Sequence, residues 1–181
     1  MILPSTPPSW AAETECNNTF GTAIKSGTLG NVVVPAGKDC FIWGNVSIKN
    51  LRVEERGALH VFGGVTISGN LVSAGADHVA IGENIVHRTN SVYGNVVIGD
   101  TIKATTIRKL VVGQNLNLEG NNGAVTLTDN PVGQNLIVKE NKGGVTIDQN
   151  VILRNLICED NADPFVVGTN SVASNKLGQC A

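Results

Sequence analysis

The sequence predicts an all-β fold: a single-domain parallel β-helix (a β-solenoid), right-handed, of about seven coils of 20 residues. Three observations predict it. An asparagine that precedes an aliphatic residue returns as Asn50, Asn70, Asn95, Asn115, Asn135, Asn155 and Asn175, at intervals of 20, 25, 20, 20, 20 and 20. Aliphatic residues keep fixed stations between these anchors. Aromatic residues make up 4% and charged residues 15% of the chain, against 21 glycines, a composition of short strands and tight turns rather than of a mixed core.

The 181 residues suffice for one domain with a continuous core. The division expected is a leader over residues 1–15, read as a signal remnant or a disordered stretch, followed by the solenoid over 16–181. Ser9-Trp10-Ala11 before Ala12 has the small residues of an export-signal end, although a basic start and an apolar stretch do not precede it. The cysteines, Cys16, Cys40, Cys158 and Cys180, allow three connectivities. Local pairing, 16 with 40 and 158 with 180, is the simplest, and paired cysteines imply an oxidising, extracellular setting.

Strand positions follow from the stations. Leu51/Val53, Val96/Ile98, Leu116/Leu118, Leu136/Val138 and Leu156/Cys158 lie one and three after their anchors. Val125/Leu127, Val145/Ile147 and Phe165/Val167 lie ten and twelve after, and Val112, Val132, Ile152 and Val172 seventeen after. A spacing of two puts neighbours on one face of a strand, so each coil holds about three short strands facing one core. No 3.6-residue period survives the Gly and Asn turns, which excludes helix. Equivalent coils stack in parallel. A coil of 20 is not a multiple of six, which disfavours the hexapeptide helix, and parallel crossovers are right-handed.

The asparagines mark corners. The anchors from Asn95 through Asn115, Asn135, Asn155 and Asn175 are expected to form a ladder, each amide bonded to its copy one coil away. Asparagine also tolerates the left-handed backbone of a tight bend. Further asparagines lie five before the anchors (45, 90, 130, 150, 170) and six after (121, 141, 161). The 25-residue coil carries an insertion around "NIVHRTNSVYGN", and segment 99–109 breaks the turn pattern.

From Asn31 onward, the "GNVVVPAG…C…GNV" opening and the "NLICEDN…NSVASNKLGQCA" close resemble small secreted Asn/Gly-rich "GNV" repeat proteins of actinobacteria and other soil bacteria. The resemblance implies secretion, a parallel solenoid and terminal cysteine pairs, and it brings no catalytic residues. "KNLRVEERG" and the long coil depart from that pattern. Bactofilins share only the general solenoid character, and their usual cytoplasmic setting fits four cysteines badly.

The chemistry-bearing residues are sparse. A net charge of −2 without a Lys/Arg cluster gives no nucleic-acid footprint, and no apolar run is long enough to span a bilayer. His60, His78 and His87 lack metal-ligand spacing, and no nucleophile, phosphate-loop or metalloprotease motif occurs. The sequence therefore assigns no catalytic residue, cofactor or metal site. His87, Arg88 and Tyr93 in the inserted corner are binding candidates, because insertions often form a solenoid's binding face. Glu119, Glu140 and Glu159, with Glu54, Glu55, Asp100 and Asp160, are expected along one outer edge, able to hold Ca²⁺ or flank a glycan, or simply to keep the edge solvated. Thr106, Thr126 and Thr146 stack too, but the adjacent column is too irregular for ice binding.

Two functions compete. One is a secreted, non-enzymatic structural or surface protein that assembles end to end into filaments. The other is a carbohydrate-binding or polysaccharide-degrading protein using the 83–95 corner and the acidic edge. The partners expected are a second copy of the chain or a cell-surface glycan.

Overall fold

A computed structural model describes residues 13–82 and 89–181. The chain winds into a parallel β-solenoid of about eight turns, 20 residues per turn. All strand pairing among the described residues is parallel, and it holds register between consecutive turns apart from a shift between Ile24 and Ser26 in the first turns.

Each turn contributes a strand to each of three faces. Face A carries Val96–Gly99, Leu116–Glu119, Leu136–Lys139, Leu156–Glu159 and Lys176–Gly178. Face B carries Thr105–Arg108, Val125–Thr128, Val145–Asp148 and Phe165–Val167, and face C carries Leu110–Val112, Pro131–Val132, Val151–Ile152 and Ser171–Val172. In the first turns the faces run together, so that the long strand Asp39–Val53 passes through all three and pairs onward with Ala58–Val61, Val65–Ile67 and Leu71–Ala74. Glu13–Glu15, within the stretch assigned above to the leader, forms a strand paired with Asn31–Val33.

The core follows the alternation. Leu116, Leu118, Val125, Leu127 and Val132 point inward and are buried, as are their equivalents in the next turn, Leu136, Val138, Val145, Ile147 and Ile152. Register holds each inward residue over its copy, so the core is a stack of aliphatic columns. Burying one such side chain is worth about 1.5–3 kcal/mol.

The corners depart from expectation in one respect. From Gly99 onward the left-handed residues other than glycine are Asp100, Lys109, Asp129, Glu140, Gln149 and Asp160, each standing immediately before the position that turns inward. Among the described residues no asparagine has positive φ. The preceding residue makes the bend, which leaves the asparagine in ordinary backbone and swings its amide into the core. The ladder, rather than the bend, is what calls for asparagine.

Both predicted disulfides are present, Cys16–Cys40 and Cys158–Cys180. Each lies at an end of the described solenoid, where a strand has a neighbour on one side only among the described residues. Among the described residues no helix is long and apolar enough to cross a membrane.

Candidate functional site

The asparagines form three ladders. At the A-to-B corner, Asn121, Asn141 and Asn161 are buried, and at the B-to-C corner so are Asn130, Asn150 and Asn170. In both, the backbone N–H and Nδ2 of one asparagine donate to Oδ1 of the asparagine one turn later. The same Nδ2 also donates to a strand carbonyl, as Asn141 does to Leu118 and Asn150 to Leu127. The anchor ladder, Asn95 to Asn175 at the C-to-A corner, is half-exposed or exposed and runs the other way: each N–H and Nδ2 donates to Oδ1 of the asparagine one turn earlier. Buried amides need full satisfaction, and these spend both donors and acceptors inside the protein.

Side-chain amides also close both ends. Asn18 Oδ1 accepts from the Phe41 N–H (2.7 Å) while its Nδ2 donates to the Phe41 carbonyl (3.3 Å). At the other end Gln179 Oε1 accepts from the Asn161 N–H and its Nε2 donates to the Asn161 carbonyl, at 2.8 and 2.9 Å. Each amide thus pairs with one residue as a neighbouring strand would. Gly178 makes the second closure possible. Its φ is +68°, and a Cβ there would meet the Cys158 carbonyl oxygen, so only glycine lets the chain turn in to set Gln179 and Cys180.

Of the residues expected along an acidic edge, Glu119, Glu140 and Glu159 all lie near enough to Lys139 to act on its charge. Glu119, Lys139 and Glu159 are register partners, so a lysine separates the two carboxylates, and Lys139 bonds Glu159 at 2.7 Å. Two turns put Glu119 and Glu159 about 9–10 Å apart. Glu140 lies outside that column, at the corner residue that follows Lys139. The side chain of Glu159 raises the Lys139 pKa, as a partner that favours the charged form must. His87 and Arg88 lie outside the described residues. Tyr93 is 61% exposed on the far side of the same insertion.

What sequence reasoning missed lies on the outer surface of face B in the first turns. Phe41 and His60 are register partners, and their rings stack at 4.2 Å with planes 3° apart. Phe20, on a short 3₁₀ turn, stands nearly perpendicular to Phe41 and Phe62, covering their edges. Its ring lies 5.9 Å from that of Trp43 at a tilt of 30°, and the two are 57% and 39% exposed. Lys25 reaches over Trp43. Beside them, His78 Nε2 lies 2.9 Å from His60 Nε2, and His78 Nδ1 lies 3.2 Å from Asp77 Oδ2. Lys103 donates to the same Asp77 oxygen at 2.9 Å. Lys103 first, and His78 second, hold the Asp77 carboxyl below its ordinary range. The available signal was composition: in a chain this poor in aromatics, three of four phenylalanines fall between 20 and 62.

No family model matches the chain, and neither a curated protein nor a solved structure matches it. The solenoid and its two disulfides are compatible with a secreted structural protein.

Proposed function

We propose that this protein is a secreted, non-enzymatic structural β-solenoid that works as a discrete rod through its lateral surface. The observation that carries the reading is the stack of amide ladders together with an amide closure at each end, Asn18 on the Phe41 backbone and Gln179 on Asn161, each next to a disulfide. Amides locked in buried ladders serve rigidity, and disulfides persist where the surroundings oxidise.

End-to-end growth into filaments needs open strand edges. The amide closures occupy one edge position at each end, which supports a monomeric rod over a filament. Light scattering across a wide concentration range tests this. A constant monomer mass is expected, and mass rising with concentration overturns it. Mass analysis of protein exported by a bacterial host, without reduction, tests secretion and the two local disulfides together.

A second reading, carbohydrate binding, is favoured by the exposed rings of Phe20 and Trp43, which offer apolar area beside Lys25. Aromatic faces with a few polar groups at their margin suit a sugar, which has apolar faces and a hydroxyl rim. A glycan array probed with the parent and Trp43→Ala decides it. Binding that Trp43→Ala abolishes supports the reading, and an empty array, or binding unchanged by the substitution, removes it.

A further inference from the structure

We propose that His60 and His78 form a two-histidine site for a divalent first-row transition metal ion, Cu²⁺ in preference to Zn²⁺.

The distances between the two rings carry the proposal. Their Nε2 atoms are 2.9 Å apart, and their ring centroids are 4.5 Å apart with planes at 74°. A linear N–H···N hydrogen bond of that length would hold the centroids about 5.2 Å apart, because each nitrogen lies about 1.1–1.2 Å from its ring centre. The shorter separation means that at least one ring axis lies off the line joining the nitrogens, so that without a metal the contact is a bent hydrogen bond. Two imidazoles on one metal ion satisfy both distances. With metal–nitrogen bonds of about 2.0–2.1 Å meeting at a right angle, the nitrogens are about 2.9 Å and the centroids about 4.5 Å apart. A tetrahedral angle would spread the nitrogens to about 3.3–3.4 Å. The right angle belongs to tetragonal ions, and Cu²⁺ heads the divalent affinity order.

The surroundings are those of a metal ligand. Asp77 takes the Nδ1 proton of His78, which leaves the lone pair on Nε2, and this carboxylate–histidine pairing is the usual support behind a metal-bound imidazole. Lys103 fixes that carboxylate from its other side. His60 is held flat against Phe41, so its ring orientation is set by packing. The register partner of His60 is Ala80, two residues after His78 on the same strand, so both rings leave the same side of face B and the small Ala80 side chain leaves them room to meet. Among the described residues no group of three or more His, Cys, Asp or Glu comes together as a metal site.

Titration of the full chain with Cu²⁺ buffered by citrate, whose donor atoms are all oxygens, read by electron paramagnetic resonance, tests the site. One equivalent should bind with hyperfine structure from two nitrogens. His78→Gln, and His60→Phe, which keeps the stack on Phe41, should each weaken binding at least about tenfold and leave one nitrogen. Asp77→Asn should weaken it by about tenfold while both nitrogens remain. Far-ultraviolet circular dichroism shows whether each variant keeps its sheet. The two-nitrogen signal of the parent needs no variant, and its absence overturns the proposal, as does full affinity in either histidine variant. Displacement of Cu²⁺ by an equal concentration of Zn²⁺ would overturn the choice of metal.

Discussion

The turns from 110 to 175 and those from 58 to 105 use the same strands but satisfy their buried polar groups differently. In the later turns, the buried amides run from Asn121 to Asn161, which the exposed Gln179 then caps, and from Asn130 to Asn170 without a gap. In the earlier turns, Ser73 Oγ, Asn90 Nδ2, Thr101 Oγ1 and Thr105 Oγ1 are buried without a partner among the described residues. Asn117 Oδ1 is the one such atom in the regular turns.

The case of Asn90 shows the cause. Its register partner is Leu110, which stands where the ladder requires an asparagine, so Nδ2 has no Oδ1 to meet one turn later. A cavity of about 10 Å³ borders Asn90, Ile81 and Leu110 in the same turn. Thr101 and Thr105 stand where the next turn has Asn121 and Val125, so a hydroxyl replaces an amide at one position and an isopropyl group at the other. A ladder closes only where every turn repeats the same residue at the same height, and the insertion after Ile81 interrupts that repetition. The paired histidines and Phe62 lie on this less regular half, with Phe41 stacked on His60 from the turn before. Local irregularity set against a consistent scaffold is where function is commonly found, and the contrast can be attacked from either side.

The largest effect is expected in the regular half. Asn150→Leu removes the acceptor of the Asn130 N–H and Nδ2 and the donor to the Leu127 carbonyl, all buried. Leaving such groups unpaired should cost about 3–5 kcal/mol, read as a lower urea midpoint. Next comes the double change Cys158→Ser with Cys180→Ser. It opens a loop of sequence separation 22 and should cost about 3 kcal/mol under non-reducing conditions, with reductant present abolishing the difference from the parent.

Asn135→Leu, in the half-exposed anchor ladder, should cost only about 1–2 kcal/mol, because water can replace the lost partner. If Asn135→Leu and Asn150→Leu prove equal, burial is not what separates the ladders. The smallest effect belongs to the irregular half. A buried Leu→Asn change ordinarily costs about 2–5 kcal/mol. Leu110→Asn should stay within about 1 kcal/mol of the parent, since it supplies the acceptor that Asn90 lacks. A full-sized loss would mean that the interruption is not a missing rung.

Gly178 shows how far a sequence pattern can be taken. As a gap in an aliphatic column, Gly178 beside Lys176 reads as a blunt stop, and filling it with an aliphatic residue reads as a way to promote association. Its left-handed backbone and the nearby Cys158 carbonyl make it instead the hinge that delivers Gln179 and Cys180. Conformation at one residue leaves no trace in a 20-residue period.

The sequence by itself determined the coil length, the inward aliphatic columns, the corner asparagines and the local cysteine pairs, because all of these repeat or lie at the ends of what repeats. Parallel stacking converts equal spacing into equal height, so Leu116, Leu136 and Leu156 must superpose once a strand forms. Only the tertiary structure decided which corners turn their amides inward, which way each ladder donates, and that Asn18 and Gln179 close the ends. It also decided that His60 meets His78. Their separation of 18 is two short of the period, so they are diagonal neighbours across adjacent strands, and side-chain direction rather than register brings the nitrogens together.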